Sequence, residues 1–296
     1  MARRRALHSC AAAISVSADV SVRGVLKPGA LLRQIDSALW ISGLGSHFAG
    51  NQSDAYCVAQ ALHIVPFARE AAGLPNLIER VEPDSPHGDP GLCVLTWLSA
   101  VGSASADVGA VMASERGGVF AAATRKFVRV GHNGRPANWT PAERGILDEL
   151  RLRDAHAAHE LLHESEVVSL PPIERLAAPA DGSMTEPMFH TVVLPHHMGA
   201  AGHLDHSVLY EWAYDAHILN DGEPTEDPSF ALSSCISYMR AAQLGDTVEV
   251  VRIGDDASAL LIIRKAGGAV LAAMRSTAHV PENAHRRPSS SSFLPL

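Results

Sequence analysis

Apolar residues occur along the first half of the chain in short runs separated by turn residues. A segment at about 13–22 alternates between apolar and polar residues as a strand does, and the segment 27–44 carries leucine and isoleucine at helical spacing. Four short apolar runs follow, the last of them after a Gly-Gly pair: 56–67, 92–101, 106–113 and 117–130. The pattern predicts one strand, one helix and four strands, in that order.

The second half repeats this order of elements. A strand is predicted at 188–195 and an amphipathic helix at 206–219, and the later apolar runs are 230–239, 246–254, 258–265 and 267–280. The last runs of the two halves align without a gap, as GGVFAAATRKFVRV and GGAVLAAMRSTAHV, with Gly, Gly, Ala, Ala, Arg and Val in common. The repeat predicts two copies of one fold that share a continuous sheet.

The boundaries of the two copies follow from the segments between the apolar runs. Thr140-Pro141-Ala142-Glu143 is a capping box with Pro at the first helical position, so a connecting helix is expected to begin there. A Pro- and Gly-rich insertion at 68–91 is typical of a functional lid or a disordered loop. We therefore predict a leader or disordered segment at 1–12, a unit at 13–131, a connecting helix and linker at 132–183, a second unit at 184–281 and a disordered tail at 282–296.

Composition excludes several classes of protein. The chain has 296 residues, of which 47% are hydrophobic, and no apolar run approaches the roughly 18 residues of a membrane-spanning helix. With 24 Lys+Arg against 32 Asp+Glu, the net charge of -8 makes nucleic acid a poor first guess for a partner. Four scattered cysteines without CxxC spacing favour free thiols in a reducing compartment. We expect a soluble intracellular protein of the cytoplasm, or of a mitochondrion or plastid if the basic N-terminus is a transit segment.

The connecting helix contains the sequence HELLH, from His159 to His163. Two histidines four residues apart share a helix face and can bind zinc, with Glu160 as general base. The extended HExxHxxGxxH form is absent, because the chain continues ESEVVSL. We favour the alternative of a polar, solvated helix face, and predict no metal and no cofactor.

A second group of polar residues lies where the first strand of the second half leads into its helix. Gly202, His203, Asp205 and His206 fall at a helix N-terminus, where unpaired N–H groups and the helix dipole favour negative charge. The backbone N–H of Gly202 or His203 could polarise a carbonyl, and either imidazole could hold a water molecule or relay a proton. In the alternative interpretation, Asp205 is only an N-cap and His206 faces solvent.

These motifs resemble those of a known fold family. The element order, the segment GHLDHSVLYEW at 202–212 and the Gly245-Asp246 turn resemble the hot dog fold of acyl-thioester hydrolases. The first half, with VRGVLKPGALLRQIDSALWI at 22–41, makes the whole chain similar to fused double hot dog acyl-CoA thioesterases. The resemblance implies an α+β fold of two tandem hot dog units, each a long helix wrapped by a curved antiparallel sheet, that form an intrachain pseudo-dimer with acyl-thioester sites between them.

The resemblance also implies which residues act. His203 falls where relatives have Asn or His, and Asp36 falls at the helical Asp or Glu, so the pair takes one residue from each half. The reciprocal pair would be Val25 with Asp215, and the side chain of Val25 can neither donate nor accept a hydrogen bond. We therefore expect one competent site and one degenerate site.

The predicted reaction is hydrolysis of an acyl thioester of CoA or of an acyl carrier protein. The Gly202 N–H would bind the carbonyl oxygen, Asp36 would activate water or attack directly, and His203 would orient the nucleophile, with Asp205 and His206 as further candidates. Cations that could receive the CoA phosphates lie on the last strand of the first half: Arg125, Lys126 and Arg129.

Two alternatives remain open at this stage. Loss of polar groups at Val25 and Gly199 would fit a non-catalytic acyl-binding or scaffold protein. The stretch KPGALL is similar to the PGVL stretch of hot dog hydroxyacyl-thioester dehydratases, although Val20 stands where those enzymes need a histidine. The sequence does not decide whether double units associate further into a homo-oligomer.

Overall fold

The helices and strands of the computed structural model follow the predicted order. The structure describes residues 8–11, 28–41, 43–50, 53–64, 92–114, 119–164, 170–177, 187–199, 204–221, 231–254 and 259–279. Three α-helices lie in these ranges: α1 (Pro28–Ile41), α2 (Pro141–Glu164) and α3 (His206–Asp221). None of the described helices combines the length and apolar character needed to cross a membrane.

Eleven strands form a single sheet in this part of the chain. They are β1 (His8–Ala11), β2 (Ala49–Gly50), β3 (Ser53–Ile64), β4 (Leu92–Val101), β5 (Ser105–Ser114), β6 (Val119–Arg129), β7 (Phe189–Val192), β8 (Ala231–Tyr238), β9 (Thr247–Ile253), β10 (Leu260–Lys265) and β11 (Val270–His279). Their order is β1-β4-β5-β6-β3-β8-β11-β10-β9-β7, with β2 paired to β3. The two halves of this order mirror each other, and the predicted continuous sheet is confirmed.

The first strand of the sheet begins earlier than the sequence pattern indicates. His8–Ala11, placed by the prediction in a leader or disordered segment, forms β1 and pairs antiparallel with β4. The reason is that β4 otherwise presents unpaired backbone groups at that edge, which a short strand satisfies. The strand predicted at 13–22, the insertion at 68–91 and the tail at 282–296 lie outside the described residues.

The seam is the boundary at which β3 pairs with β8 and α1 packs against α3. β3 and β8 are antiparallel, with Ala61 opposite Cys235. Apolar residues of both helices and of both parts of the sheet form one continuous core cluster across it: Leu31, Leu32, Ile35, Leu62, Leu209, Trp212, Ile236 and Met274 among them. This common core means that the two units fold as one body.

An approximate twofold relation between the halves is visible in two polar contacts across the seam. Arg33 of α1 pairs with Glu211 of α3, and the amide of Gln60 on β3 donates to the hydroxyl of Tyr238 on β8 at 2.6 Å. Both pairs join residues 178 positions apart. A residue that meets its own counterpart must lie close to the axis relating the two units.

The connection between the units begins with α2 and ends with an extended linker, which lies on the sheet face opposite to α1 and α3. The α2 helix begins with the predicted capping box, since the Thr140 N–H donates to Glu143 Oε2 at 2.6 Å and the Glu143 N–H donates to Thr140 Oγ1 at 3.3 Å. The linker 170–177 follows in extended form, and its Pro171 carbonyl accepts a hydrogen bond from Thr124 Oγ1 at 2.7 Å. The sheet therefore has a helix face and a linker face.

Candidate active site

A carboxylate of the first half and an imidazole of the second half meet at the seam. Asp36 lies on α1, and His206 is the first residue of α3. Oδ2 of Asp36 lies 3.2 Å from Nε2 of His206, and the two side chains keep exposed fractions of 22% and 27%. The pair is thus sheltered by the helices but still accessible from solvent.

A fully buried arginine holds the other oxygen of this carboxylate. Arg125 lies on β6 with an exposed fraction of 0%, and its Nη1 pairs with Oδ1 of Asp36. Its Nη2 donates to the Leu32 carbonyl at 2.9 Å, one helical turn before Asp36. The guanidinium therefore connects a strand of the first unit to two points on α1.

Burial and charge act in opposite directions on Asp36. Burial raises the pKa of this carboxyl, while the charges of Arg125 and His206 and the hydrogen bond from Arg125 lower it, and the net pKa lies well below the usual range. Asp36 is consequently a carboxylate at neutral pH. An anion this strongly stabilised is a weak base.

Further polar side chains surround the pair from the strands at the seam. The hydroxyl of Tyr238 donates to the His206 carbonyl at 3.2 Å, and its ring stands edge-on to the imidazole with centroids 5.7 Å apart. Burial raises the pKa of Cys57 to about 12 and the pKa of Tyr238 well above its ordinary value. Cys57 is thus a thiol at neutral pH, and it is not a thiolate nucleophile.

No family model and no curated protein sequence matches the chain. An acyl-ACP thioesterase from Bacteroides thetaiotaomicron superposes with a TM-score of 0.61 at 12% identity, covering 94% of this chain and 100% of the other. The 12:0-ACP thioesterase from Umbellularia californica gives 0.58 at 11%, covering 92% and 95%. The chain has the double hot dog fold. Identities this low establish the fold alone, and the predicted fold class is confirmed.

Within the double hot dog, Asp205 serves as the N-cap of α3. Its Oδ1 accepts hydrogen bonds from the backbone N–H and the hydroxyl of Ser207, both at 2.8 Å. These are the contacts of an N-cap residue, the alternative that the sequence left open. The same oxygen lies 3.7 Å from Nδ1 of His206, so it also borders the pair.

Two other predicted site residues cannot be placed. Gly202 and His203 lie outside the described residues, so the roles of the Gly202 N–H and of the His203 imidazole stay predictions. His206, the other predicted histidine, is described, and its imidazole faces Asp36 of α1. The spacing alone does not distinguish a solvent-facing imidazole from one directed at α1, and the catalytic role of His206 stays a prediction.

The three predicted phosphate-binding cations all have partners within the fold. Arg125 is buried against Asp36, and Lys126 Nζ lies 2.9 Å from Oδ1 of Asp107. Arg129 Nε lies 3.3 Å from Glu143 Oε2, and its Nη1 donates to the Asn138 carbonyl. A CoA phosphate would have to displace these acidic partners, and Arg125 lies out of its reach.

One group of described side chains is close enough together to hold a metal ion. One ligand atom each of Asp36, Asp205 and His206 lies within 4.8 Å of the others. The carboxylates already have partners, because Arg125 pairs with Asp36 and Ser207 donates to Asp205. A cation would also lie beside the Arg125 guanidinium, so the donor set is poorly suited to a metal.

The HELLH segment lies on α2 in the second part of that helix. His159 is exposed there, and the side chains of Glu160 and His163 are outside the described part of the structure. The exposure of His159 agrees with a solvated helix face. The assignment of this segment as a solvated helix face without zinc stays a prediction.

Among the described residues, the opposite position on the seam lacks this pair of side chains; Val25, the predicted counterpart of His203, lies outside them. The shift of 178 residues takes Asp36 to Tyr214 and His206 back to Pro28. Pro28 is buried at the start of α1 and has no side-chain polar atom, and Asp215 is exposed on α3. The carboxylate and imidazole therefore occur together at one of the two related positions.

The two arginines that the repeat alignment pairs, one on β6 and one on β11, point to different faces of the sheet. Ala123 belongs to the core cluster under the helices, so Arg125, two residues later on β6, is on the helix face. On β11 it is Met274 that belongs to that cluster, and Arg275 points to the linker face, where it pairs with Glu174 at 3.0 Å. The gapless alignment equates two arginines that lie on opposite faces of the sheet.

Proposed function

We propose that this double hot dog chain hydrolyses acyl thioesters at a composite site formed by Asp36 and His206. The observation that carries the proposal is the 3.2 Å contact between a carboxylate of α1 and an imidazole of α3 across the seam. An ionised carboxylate beside an imidazole is an arrangement that activates a water molecule for attack on a carbonyl. The two structural neighbours are acyl-ACP thioesterases, and the thioester class is adopted from them as part of the proposal.

The proposed reaction proceeds in two steps. Water attacks the thioester carbonyl carbon while one of its protons passes to a ring nitrogen of His206, which gives a tetrahedral oxyanion. The carbon–sulfur bond then breaks, and the departing thiolate takes the proton from the imidazolium. The products are a free carboxylic acid and the thiol of the carrier, and His206 returns to its neutral form.

The oxyanion needs hydrogen-bond donors near the start of α3. The first N–H groups of a helix lack intrahelical partners and point towards its N-terminus. The Gly202 N–H and the His203 side chain, three to four residues before the first residue of α3, are the proposed donors. The carrier is proposed to be CoA or an acyl carrier protein.

One assay tests the proposal. Purified protein is incubated with acyl-CoA and acyl-carrier-protein substrates of short, medium and long chain, and free thiol is followed. Asp36→Asn and His203→Ala are each expected to lower kcat by about 100- to 10,000-fold. Absence of thiol release with every substrate would contradict the proposed function and leave a binding protein. Hydration of an enoyl thioester without thiol release would replace hydrolysis by the dehydratase class.

The second variant separates two parts of the proposal. Hydrolysis that is lost with Asp36→Asn and unaffected by His203→Ala would retain the composite pair and remove His203 from the proposed oxyanion donors. Hydrolysis that is indifferent to both changes would place the reaction elsewhere in the chain.

A further inference from the structure

Arg125 is an unusual residue for the interior of a soluble protein. Its exposed fraction is 0%, although arginine is almost never fully buried unless it is paired. Removing a guanidinium from water is costly, so a buried one needs strong compensating contacts. The burial of a charged side chain at this place indicates a role that the proposed reaction does not include.

The contacts of Arg125 fix the orientation of one carboxylate. Nη1 holds Oδ1 of Asp36 and Nη2 holds the Leu32 carbonyl, so the planar fork binds two points on consecutive turns of α1. With Oδ1 held in this way, Oδ2 is left to face Nε2 of His206 at 3.2 Å. Without the fork, the carboxylate could rotate away from the imidazole.

We propose that Arg125 is a positioning residue that fixes the Asp36 carboxylate against His206 and thereby leaves proton transfer to the imidazole. This inference rests on the proposed function for its catalytic meaning. It assigns to Arg125 a role inside the site and no contact with the carrier phosphates. It also reverses the division of roles expected from the sequence, in which Asp36 accepted the proton.

The charges around Asp36 support this division. The titratable and charged groups that face it come from every element packed against it: Arg125 of β6, Cys57 of β3, Tyr238 of β8, and Asp205 and His206 at the start of α3. Among these, Arg125 is the permanent cation. The carboxylate is thus a weak base, while Nδ1 of His206, turned away from Asp36, is available to accept a proton.

The repeat supplies a matched control for Arg125. Arg275 aligns with it in sequence but lies on the linker face, where its side chain is 43% exposed and pairs with Glu174. It has no contact with the Asp36–His206 pair among the contacts described above. Arg275→Gln therefore removes the same functional group from the same sequence motif at a site that the proposal does not involve.

The test uses the full chain with Arg125→Gln, Arg125→Lys and Arg275→Gln. In Arg125→Gln, burial of Asp36 is no longer opposed by the guanidinium, so the pKa of Asp36 is expected to rise and the acid limb of the kcat/KM profile to move to higher pH. The loss of orientation should lower kcat by about a hundredfold with little change in KM. Arg125→Lys keeps the charge and should keep the acid limb, but its single nitrogen cannot reproduce the two-nitrogen fork to Asp36 and Leu32, so it should still lower kcat. Arg275→Gln should match the wild type.

A second readout separates this inference from the proposed function. The Asp36 carboxyl carbon is titrated by NMR in the wild type and in each variant, with Asp36→Asn used for assignment. A titration of Asp36 that is the same in Arg125→Gln and wild type would overturn the inference, whether or not the protein hydrolyses thioesters. A normal kcat in Arg125→Lys would also overturn it, and this variant decides the matter if Arg125→Gln does not fold. If the wild type releases no thiol while the Asp36 pKa rises in Arg125→Gln, the proposed function fails and the electrostatic role of Arg125 stands.

Discussion

The two related positions on the seam of this molecule share a backbone but not a chemistry. At one position Asp36 and His206 face each other at 3.2 Å, and at the other the counterparts are Tyr214 and Pro28. The helices and strands around both positions follow the same order. The fold depends on an apolar pattern spread over many residues, whereas the chemistry depends on a few side chains. The fold can therefore be the same in both units while the carboxylate and imidazole occur together at one position.

The arginines of the repeated strands also differ in environment although their sequence motifs align. Arg125 and Arg275 occupy the same place in an aligned motif, yet one is buried under α1 and the other is partly exposed beside Glu174. Because side chains alternate along a strand, a difference of one residue in the pairing reverses the face. The register shifts in both units, between Met112 and Ala113 and between Ile263 and Arg264, show where such a difference can arise.

The largest effect is expected from removing the imidazole that only one position has. His206→Gln should lower kcat/KM for thioester hydrolysis by about 100- to 10,000-fold, because the proton acceptor is lost. Tyr214→Phe, at the related position, should leave the rate within about twofold of wild type. Free thiol release measures both. A comparable loss in the two variants would contradict the asymmetry between the two positions.

The ion pairs of Arg125 and Arg275 should differ strongly in how much each contributes to the free energy of unfolding. Asp36→Asn and Arg125→Met each leave a buried charge without its partner, and each is expected to lower the free energy of unfolding by about 3–5 kcal/mol, with much of the loss recovered in the double variant. The exposed pair of Glu174 and Arg275 should contribute about 0–1 kcal/mol in the same cycle. Urea unfolding monitored by tryptophan fluorescence measures both cycles. Equal coupling energies for Asp36–Arg125 and Glu174–Arg275 would show that burial does not strengthen the first pair.

The order of the elements could be predicted because it depends on apolar runs bounded by turns. The run at 92–101 coincides with β4, and the capping box at Thr140 marks the start of α2. The role of Arg125 could not be predicted in this way. It follows a run of alanines that are buried on both faces of the sheet, and such a run has no polar alternation to indicate the face of the next residue.

The pair itself could be predicted only in part. The resemblance to hot dog proteins selected Asp36, because a carboxylate on that helix is part of the family pattern. It did not select His206 over His203, because both are histidines close to a helix start and the sequence pattern does not give the direction of either side chain. The direction is set by the packing of α3 against α1, which is a property of the two units together.

The smallest expected effect concerns the axis between the units. Arg33 and Glu211 are counterparts that pair with each other, and their side chains are 38% and 29% exposed. In a dimer of identical units each would face its own copy, so opposite charges at these positions require two different units.

Arg33→Glu and Glu211→Arg should each lower the free energy of unfolding by about 0.2–1 kcal/mol, because each creates a like-charge contact at the axis. The double swap restores opposite charges and should recover most of the loss. The recovery should shrink at high salt, since the Debye length falls from about 10 Å at 0.1 M to about 3 Å at 1 M. Urea midpoints of the four proteins at both salt concentrations measure the coupling. Additive single effects would mean that the two charges do not interact across the axis, and that the packed apolar residues alone hold α1 against α3.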